Sequence, residues 1–250
     1  MDVFIFIMIF IGGTVFGSFY TLAVYRLPRK ENITYVQSHC VSCNHKLGPL
    51  DLIPIFSYLF LGGKCRYCKE KIRSRYVLLE IMSGLAFLLL AIIFGINTYS
   101  TLTEFINLFI TYLFITSVFI TAGIDKENYT VLDNVLLYGI GISILKIIFK
   151  SYCGKFVLTN ILGFLIIPVL VLFMNYCFKE KNKFKLDFSY IKYLALIGLY
   201  FGIELQVFML ISSIILILLS KFFLKITKVP VAFYMSVATI LVMMISELSL

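Results

Sequence analysis

Charged residues are scarce in this chain. Asp, Glu, Lys and Arg make up 14% of its 250 residues and hydrophobic residues 61%, whereas a soluble domain carries roughly a quarter charged and about half apolar residues. That shortage excludes an ordinary soluble domain. The apolar residues fall in long runs broken by short charged loops, the pattern of a chain whose main solvent is lipid. Acids are scarcer still, with 13 Asp and Glu against 22 Lys and Arg, a formal charge of +9. The basic residues cluster beside apolar runs, so the excess reads as positive-inside bias, and no nucleic acid is expected as a partner. A basic stretch is missing ahead of the first apolar run, 3–24, where Met1-Asp2 has the wrong sign for a signal peptide. Gly12, Gly13, Gly17 and Ser18 lie inside that run as small packing residues, so a retained span is expected. Internal repeats, coiled-coil heptads and low-complexity linkers are lacking. Ionisable residues are also few in the middles of the runs. Glu80, Lys146 and Glu204 fall near likely ends and Glu104 near an outer end, which argues against a transporter.

What is present is a series of apolar segments near 3–24, 76–96, 103–122, 134–150, 158–177, 191–204, 206–224 and 231–246. A hydrocarbon core needs about 20 residues per helix, so the expected fold is an all-α polytopic membrane protein with about eight transmembrane helices. Glu204 and Gln206 are expected to form a short turn between the sixth and seventh; if they are buried instead, the two merge and the count falls to seven. Lys and Arg gather in three loops: 25–75, then Lys179, Lys181, Lys183 and Lys185, then Lys221, Lys225 and Lys228. With eight spans all three loops share one side, which is then cytoplasmic, with both termini outside. Lys150 and Lys155 fall on the other side and weaken the bias slightly.

The first loop holds Cys40-Val-Ser-Cys43 and Cys65-Arg-Tyr-Cys68, two CxxC pairs with 21 residues between them. Each pair places two thiolates on one tight turn, and two such turns facing each other supply a closed tetrahedral sulfur shell that suits structural zinc. A cytoplasmic location disfavours stable disulfides, and a loop too short for its own core gains most from a metal. Cys40, Cys43, Cys65 and Cys68 are therefore the expected metal ligands. His39 and His45 are expected to be solvated or to support the site from outside, since four sulfurs complete the shell. Cys153 and Cys177 stand alone and are expected to be small buried hydrophobes.

Two acids draw attention at the ends of apolar runs. Asp125 lies in Gly123-Ile124-Asp125-Lys126-Glu127-Asn128, read as the start of a loop at the cytoplasmic end of the third span. Asp133 suits the N-cap of the next helix. A solvated cap is the plain alternative for Asp125; a second carboxylate facing it would instead make an acid and base pair able to act on one water. Asp187 is the carboxylate available for that role in Lys185-Leu186-Asp187-Phe188-Ser189-Tyr190, with a helix cap as its own plain alternative.

These residues together resemble the bifunctional type IV prepilin leader peptidase/N-methyltransferase family. The resemblance rests on Gly17-Ser18-Phe19, Tyr25-Arg26-Leu27-Pro28, both cysteine pairs, Ile53-Pro54-Ile55-Phe56-Ser57-Tyr58-Leu59, Arg75-Tyr76, Glu80 and Gly84. It implies an intramembrane aspartic peptidase that cuts the basic leader of a type IV pilin or pseudopilin at the cytoplasmic face of a bacterial plasma membrane. It further implies methylation of the new N-terminus from S-adenosylmethionine, and it leaves a homodimer open. Residues 1–24 then form the first transmembrane helix, 25–75 a cytoplasmic zinc module and 76–250 a transmembrane peptidase-like domain.

On this resemblance Asp125 corresponds to the first catalytic aspartate and Asp133 to a non-catalytic acid, with Leu132 where the family usually has proline. The family's Gly-x-Gly-Asp motif is absent. Ile191-Lys192-Tyr193-Leu194-Ala195 matches the stretch that follows that motif, which puts Tyr190 where its aspartate belongs. A tyrosine, with an ordinary pKa of about 10, is no substitute for a carboxylate base near neutrality. Asp187, three residues upstream, is the local replacement, and a catalytically degenerate member that binds pilin-like helices without cutting them is the alternative. Thr21 also departs from the asparagine usual in the family.

Overall fold

The computed structural model describes residues 2–35, 37–177, 186–224 and 228–248. Lys179, Lys181, Lys183, Lys185 and Lys225, used above for orientation, lie outside the described residues. The chain forms two compact units, Met1–Thr101 and Leu102–Leu250.

The first unit is built on α1 (Asp2–Arg26) and α3 (Arg75–Ile93), with the short helix α2 (Phe56–Phe60) in the loop between them. Glycine lets α1 and α3 meet closely. A Cβ on Gly13 would lie 2.9 Å from the Gly84 Cα, and one on Gly17 would lie 2.7 Å from the Glu80 Cα. The opposite side of α1 exposes Phe4, Ile7, Ile11, Val15 and Phe19, spaced three or four residues apart. Small residues inward and large apolar residues outward are the arrangement expected in lipid, where close van der Waals packing holds helices together.

The second unit comprises α4 (Leu102–Asn128), α5 (Asp133–Tyr152), α6 (Leu158–Cys177), α7 (Phe188–Phe201), α8 (Ile203–Leu224) and α9 (Val231–Leu248). At its centre lies α7, which packs against α5, α6, α8 and α9. Its 14 residues reach only about 21 Å, and most are buried, including Tyr193, Leu194, Leu196 and Ile197. Enclosed by other helices, α7 need not match the bilayer thickness. Among the described residues, six helices are long and apolar enough to cross a membrane, while α7 and α9 are shorter apolar helices. Each of the eight expected segments lies largely in a helix, but 76–96 outlasts α3 and 191–204 is broken at Gly202. The described residues contain no β-strand, only two isolated bridges, His39 with Lys46 and Lys64 with Lys71.

The turn between the sixth and seventh segments is not at Glu204 and Gln206. It falls at Gly202, whose φ is +93°, a value that side-chain-bearing residues rarely adopt. Gln206 is fully buried inside α8, and its Nε2 donates to the Leu194 carbonyl at 2.8 Å. A residue that polar tolerates the interior because α7 offers a carbonyl there. Cys153 and Cys177 are also not buried; both are exposed at the C-terminal ends of α5 and α6, where side chains leave the helix packing.

Gly163 on α6 and Gly198 on α7 bring these two helices into backbone contact. A Cβ on Gly198 would lie 2.4 Å from the Gly163 carbonyl oxygen and 2.5 Å from Gln206 Oε1. Gly198→Val should therefore cost about 3 kcal/mol, the upper part of the usual overpacking range, read as a lowered thermal midpoint in detergent. Gly141, with nothing near its Cβ position, is the control, and Gly141→Ala should leave the midpoint unchanged or raise it.

Candidate metal centre and carboxylate site

The two CxxC segments fold into matching turns. The Cys40 N–H donates to the His45 carbonyl at 2.9 Å and the Asn44 N–H to the Cys40 carbonyl at 2.9 Å; the Cys65 N–H donates to Glu70 at 2.8 Å and the Lys69 N–H to Cys65 at 3.1 Å. Asn44 and Lys69, each just after the second cysteine of its pair, take φ of +56° and +61°. These left-handed residues reverse the chain so that both sulfurs of a pair point one way. The four sulfurs lie within 4.8 Å of one another, and Cys40 Sγ is 3.8 Å from Cys68 Sγ. A tetrahedral ion with zinc–sulfur bonds of about 2.3 Å requires sulfurs about 3.8 Å apart, so the donors fit a zinc ion.

The electrostatics of the cluster agree. The Cys43 backbone N–H is the main influence on Cys40, which is lowered to about 7 despite opposing burial. For Cys68 the Glu70 backbone bond lowers the thiol, but burial and the three neighbouring thiols win and push it to about 12. Four thiolates therefore need a cation to form together. His39 and His45 are exposed outside the sulfur cluster, His45 resting 3.6 Å from the Tyr67 ring.

Asp51 fastens the second turn to the rest of the module. It accepts from Arg66 Nε at 2.6 Å, Tyr67 Oη at 3.2 Å and the Gly48 N–H at 3.1 Å. Burial raises its pKa, but Arg66 and Gly48 outweigh this and hold the carboxyl below its ordinary value. Beside the turns, a cavity of about 530 Å³ opens between the module and the ends of α1 and α3, with Arg26, Arg73, Glu70, Glu80 and Tyr58 in its wall. That volume is within the usual range for small-molecule sites.

The second unit carries a separate constellation. Asp125 is in the last turn of α4, not in a loop, because the helix continues to Asn128; its exposure is 0%. The Tyr190 hydroxyl donates to Asp125 Oδ1 at 2.8 Å, and the Phe233 backbone N–H donates to Oδ2 at 3.0 Å. Phe233 lies in the first turn of α9, which follows Pro230. Proline supplies no capping side chain, so Asp125 takes that part from another helix. The Tyr190 hydroxyl also approaches the Tyr129 carbonyl at 3.2 Å.

Asp187 is the exposed residue just before α7, with no side-chain capping bond. What faces Asp125 directly is thus the phenol of Tyr190. Asp133 is not the N-cap, a position held by Leu132. It lies in the first turn of α5, paired with Lys192 at 2.7 Å. Lysines surround this end: Lys126 lies 4.8 Å from the Phe233 ring centre and Lys228 4.3 Å from that of Tyr129. Sequence reasoning missed Phe233 as a partner. The uncapped helix start after Pro230 was the available signal.

A helical membrane protein with a four-thiol metal cradle in one unit and a buried, hydrogen-bonded aspartate in the other is thereby defined. Residues 11–94 match the bacterial peptidase A24 N-terminal domain. The chain is 33% identical over 131 residues to the prepilin leader peptidase/N-methyltransferase of Bacillus subtilis, covering 52% of this chain and 50% of that protein. It is 39% identical over 83 residues to the Vibrio cholerae protein of the same name, covering 30% and 33%. To the Pseudomonas aeruginosa one it is 33% identical over 96 residues, covering 29% and 33%. Over these segments the chain is similar to prepilin leader peptidase/N-methyltransferases, with the domain match confined to residues 11–94, and its alignments span half or less of the length of these relatives. No solved structure matches it.

Proposed function

We propose that this chain receives type IV pilin or pseudopilin precursors at the cytoplasmic face of the bacterial plasma membrane, as a prepilin leader peptidase-like aspartic enzyme. The observation that carries the reading is the fully buried carboxylate of Asp125 in the last turn of a membrane helix, a costly position for an ionisable group without a task. In the cleaving form, Asp125 takes the proton of the water that attacks the scissile carbonyl, and Asp187 gives a proton to the leaving amine. Tyr190 must leave Asp125 for this to happen.

Zinc at Cys40, Cys43, Cys65 and Cys68 is structural, because four sulfurs leave no open position for a reacting group. S-adenosylmethionine, when bound, supplies the methyl group for the new N-terminus. Its opposite charges suit the cavity in the first unit, where Glu70 and Glu80 would face its cationic groups and Arg26 or Arg73 its carboxylate.

A second reading is favoured by the Tyr190 hydroxyl at 2.8 Å from Asp125. The phenol fills the space a lytic water needs, and the chain then binds pilin-like helices without cutting them. The purified chain with a short prepilin separates the two. In the cleaving form, Asp125→Asn and Asp187→Asn each lower the rate at least about 100-fold. An unaffected rate in Asp187→Asn sinks the Asp125–Asp187 pair, and a wild-type chain that binds prepilin but never cuts it establishes the second reading.

A further inference from the structure

We propose that α2 and the residues just before it form a lipid-contacting foot, which seats the cysteine module in the headgroup and upper acyl region of the bilayer. The segment is strongly apolar and faces outward. Phe56 is 56% exposed, Leu59 64% and Phe60 85%, and Ile53 is 42% exposed immediately upstream. The loop containing it leaves one membrane helix at Arg26 and enters another at Arg75, so it is tethered to the bilayer at both ends.

A specific bond sets its depth. Glu80 Oε2 accepts the Ile55 N–H at 2.7 Å. Glu80 is five residues into α3, which places this anchor about 7 Å along the helix from its start. On the outer side of α3 the exposed apolar band begins at Leu78, above Glu80, and continues through Met82. The residue leading into α2 is therefore held beside the upper part of that lipid-facing band. Ile55 has φ +62°, a costly conformation for a β-branched residue, and the Glu80 bond helps to keep it there.

The second tie is at α1. The Arg26 guanidinium donates to the Asn32 carbonyl at 3.1 Å and the Gln37 carbonyl at 3.3 Å, folding the start of the loop back onto the helix end. Lys46, Lys64, Lys69 and Lys71 are exposed on the module, a charge that suits anionic headgroups. A short apolar element flanked by lysines at this depth matches the burial of about 5–10 Å typical of interfacial segments. The proposal stands whether or not the chain cuts pilin.

The chain contains no tryptophan, so one introduced indole reports its own surroundings. Phe60→Trp in the full-length protein, reconstituted in phosphatidylcholine/phosphatidylglycerol vesicles, should be quenched by lipids brominated on the upper acyl chain. The quenching should reach at least half that of Phe4→Trp on the lipid-facing side of α1, with little quenching by aqueous iodide. Adding Glu80→Ala should move Phe60→Trp toward iodide access, whereas Glu80→Gln, which keeps an acceptor, should leave it nearly in place. Strong iodide quenching without bromine quenching overturns the proposal. So does protection from both quenchers, which would mean that protein covers the segment.

Discussion

Tyr190→Asp is expected to raise leader cleavage at least about 100-fold over the wild-type chain, and Asp125→Asn should abolish the gain. The tyrosine hydroxyl touches Asp125 at 2.8 Å. An aspartate oxygen at the same backbone position stops about 3 Å shorter, close to the O–H···O spacing of one water. The substitution thus exchanges a direct contact for two carboxylates with room for a water between them. Such a pair holds one proton, so one member serves as base and the other as acid, and positioned acid–base groups contribute about 10²–10⁴ in rate. Tyr190→Phe removes the hydroxyl without adding a carboxylate and should give no comparable gain. A short prepilin assayed against the wild type, both single variants and Tyr190→Asp/Asp125→Asn checks every part. A Tyr190→Asp rate equal to wild type would show that the phenol does not obstruct Asp125.

The second large effect concerns the metal. Cys40→Ser should reduce bound zinc from about one per chain to near zero and speed proteolysis within 37–73 at least about tenfold. Among the described residues from 27 to 74, only Gly63 and Cys65 are buried, so the module has almost no core of its own. Small units of this kind depend on the ion, whose binding contributes apparent free energies of about 10–16 kcal/mol in zinc-finger peptides. Helices α1 and α3 should remain intact, because their contact rests on Gly13, Gly17 and Gly84 and not on the thiols. Metal content by elemental analysis and limited proteolysis of the detergent-solubilised chain read both effects. A Cys40→Ser protein that keeps its zinc would mean that the ion sits elsewhere.

The parts legible in the sequence were those with a period or a spacing. Apolar runs of nearly 20 residues became α1, α3, α4, α5, α6 and α8, because lipid leaves a helix few alternatives for its backbone polar groups. The paired CxxC segments brought four sulfurs together because each turn is local and the remaining geometry is tetrahedral. Long-range partners were not legible. The break at Gly202 and the burial of Gln206 follow from the close crossing of α6 and α7, which no local pattern encodes. The same holds at Asp125, whose partners come from α7 and α9, 65 and 108 residues away in the chain. Tyr190 was visible as a missing carboxylate, but that its hydroxyl would reach Asp125 depended on how α7 packs.

The Asp125 end of the second unit is proposed as the place where a pilin precursor presents its leader junction. A photo-cross-linking benzoylphenylalanine in place of Phe188, an exposed residue at the start of α7, tests this without requiring cleavage. The expected result is a covalent product with prepilin, mapped by mass spectrometry to residues flanking the leader junction. Labelling confined to the distal globular part of the pilin, or none at saturating prepilin, would contradict it.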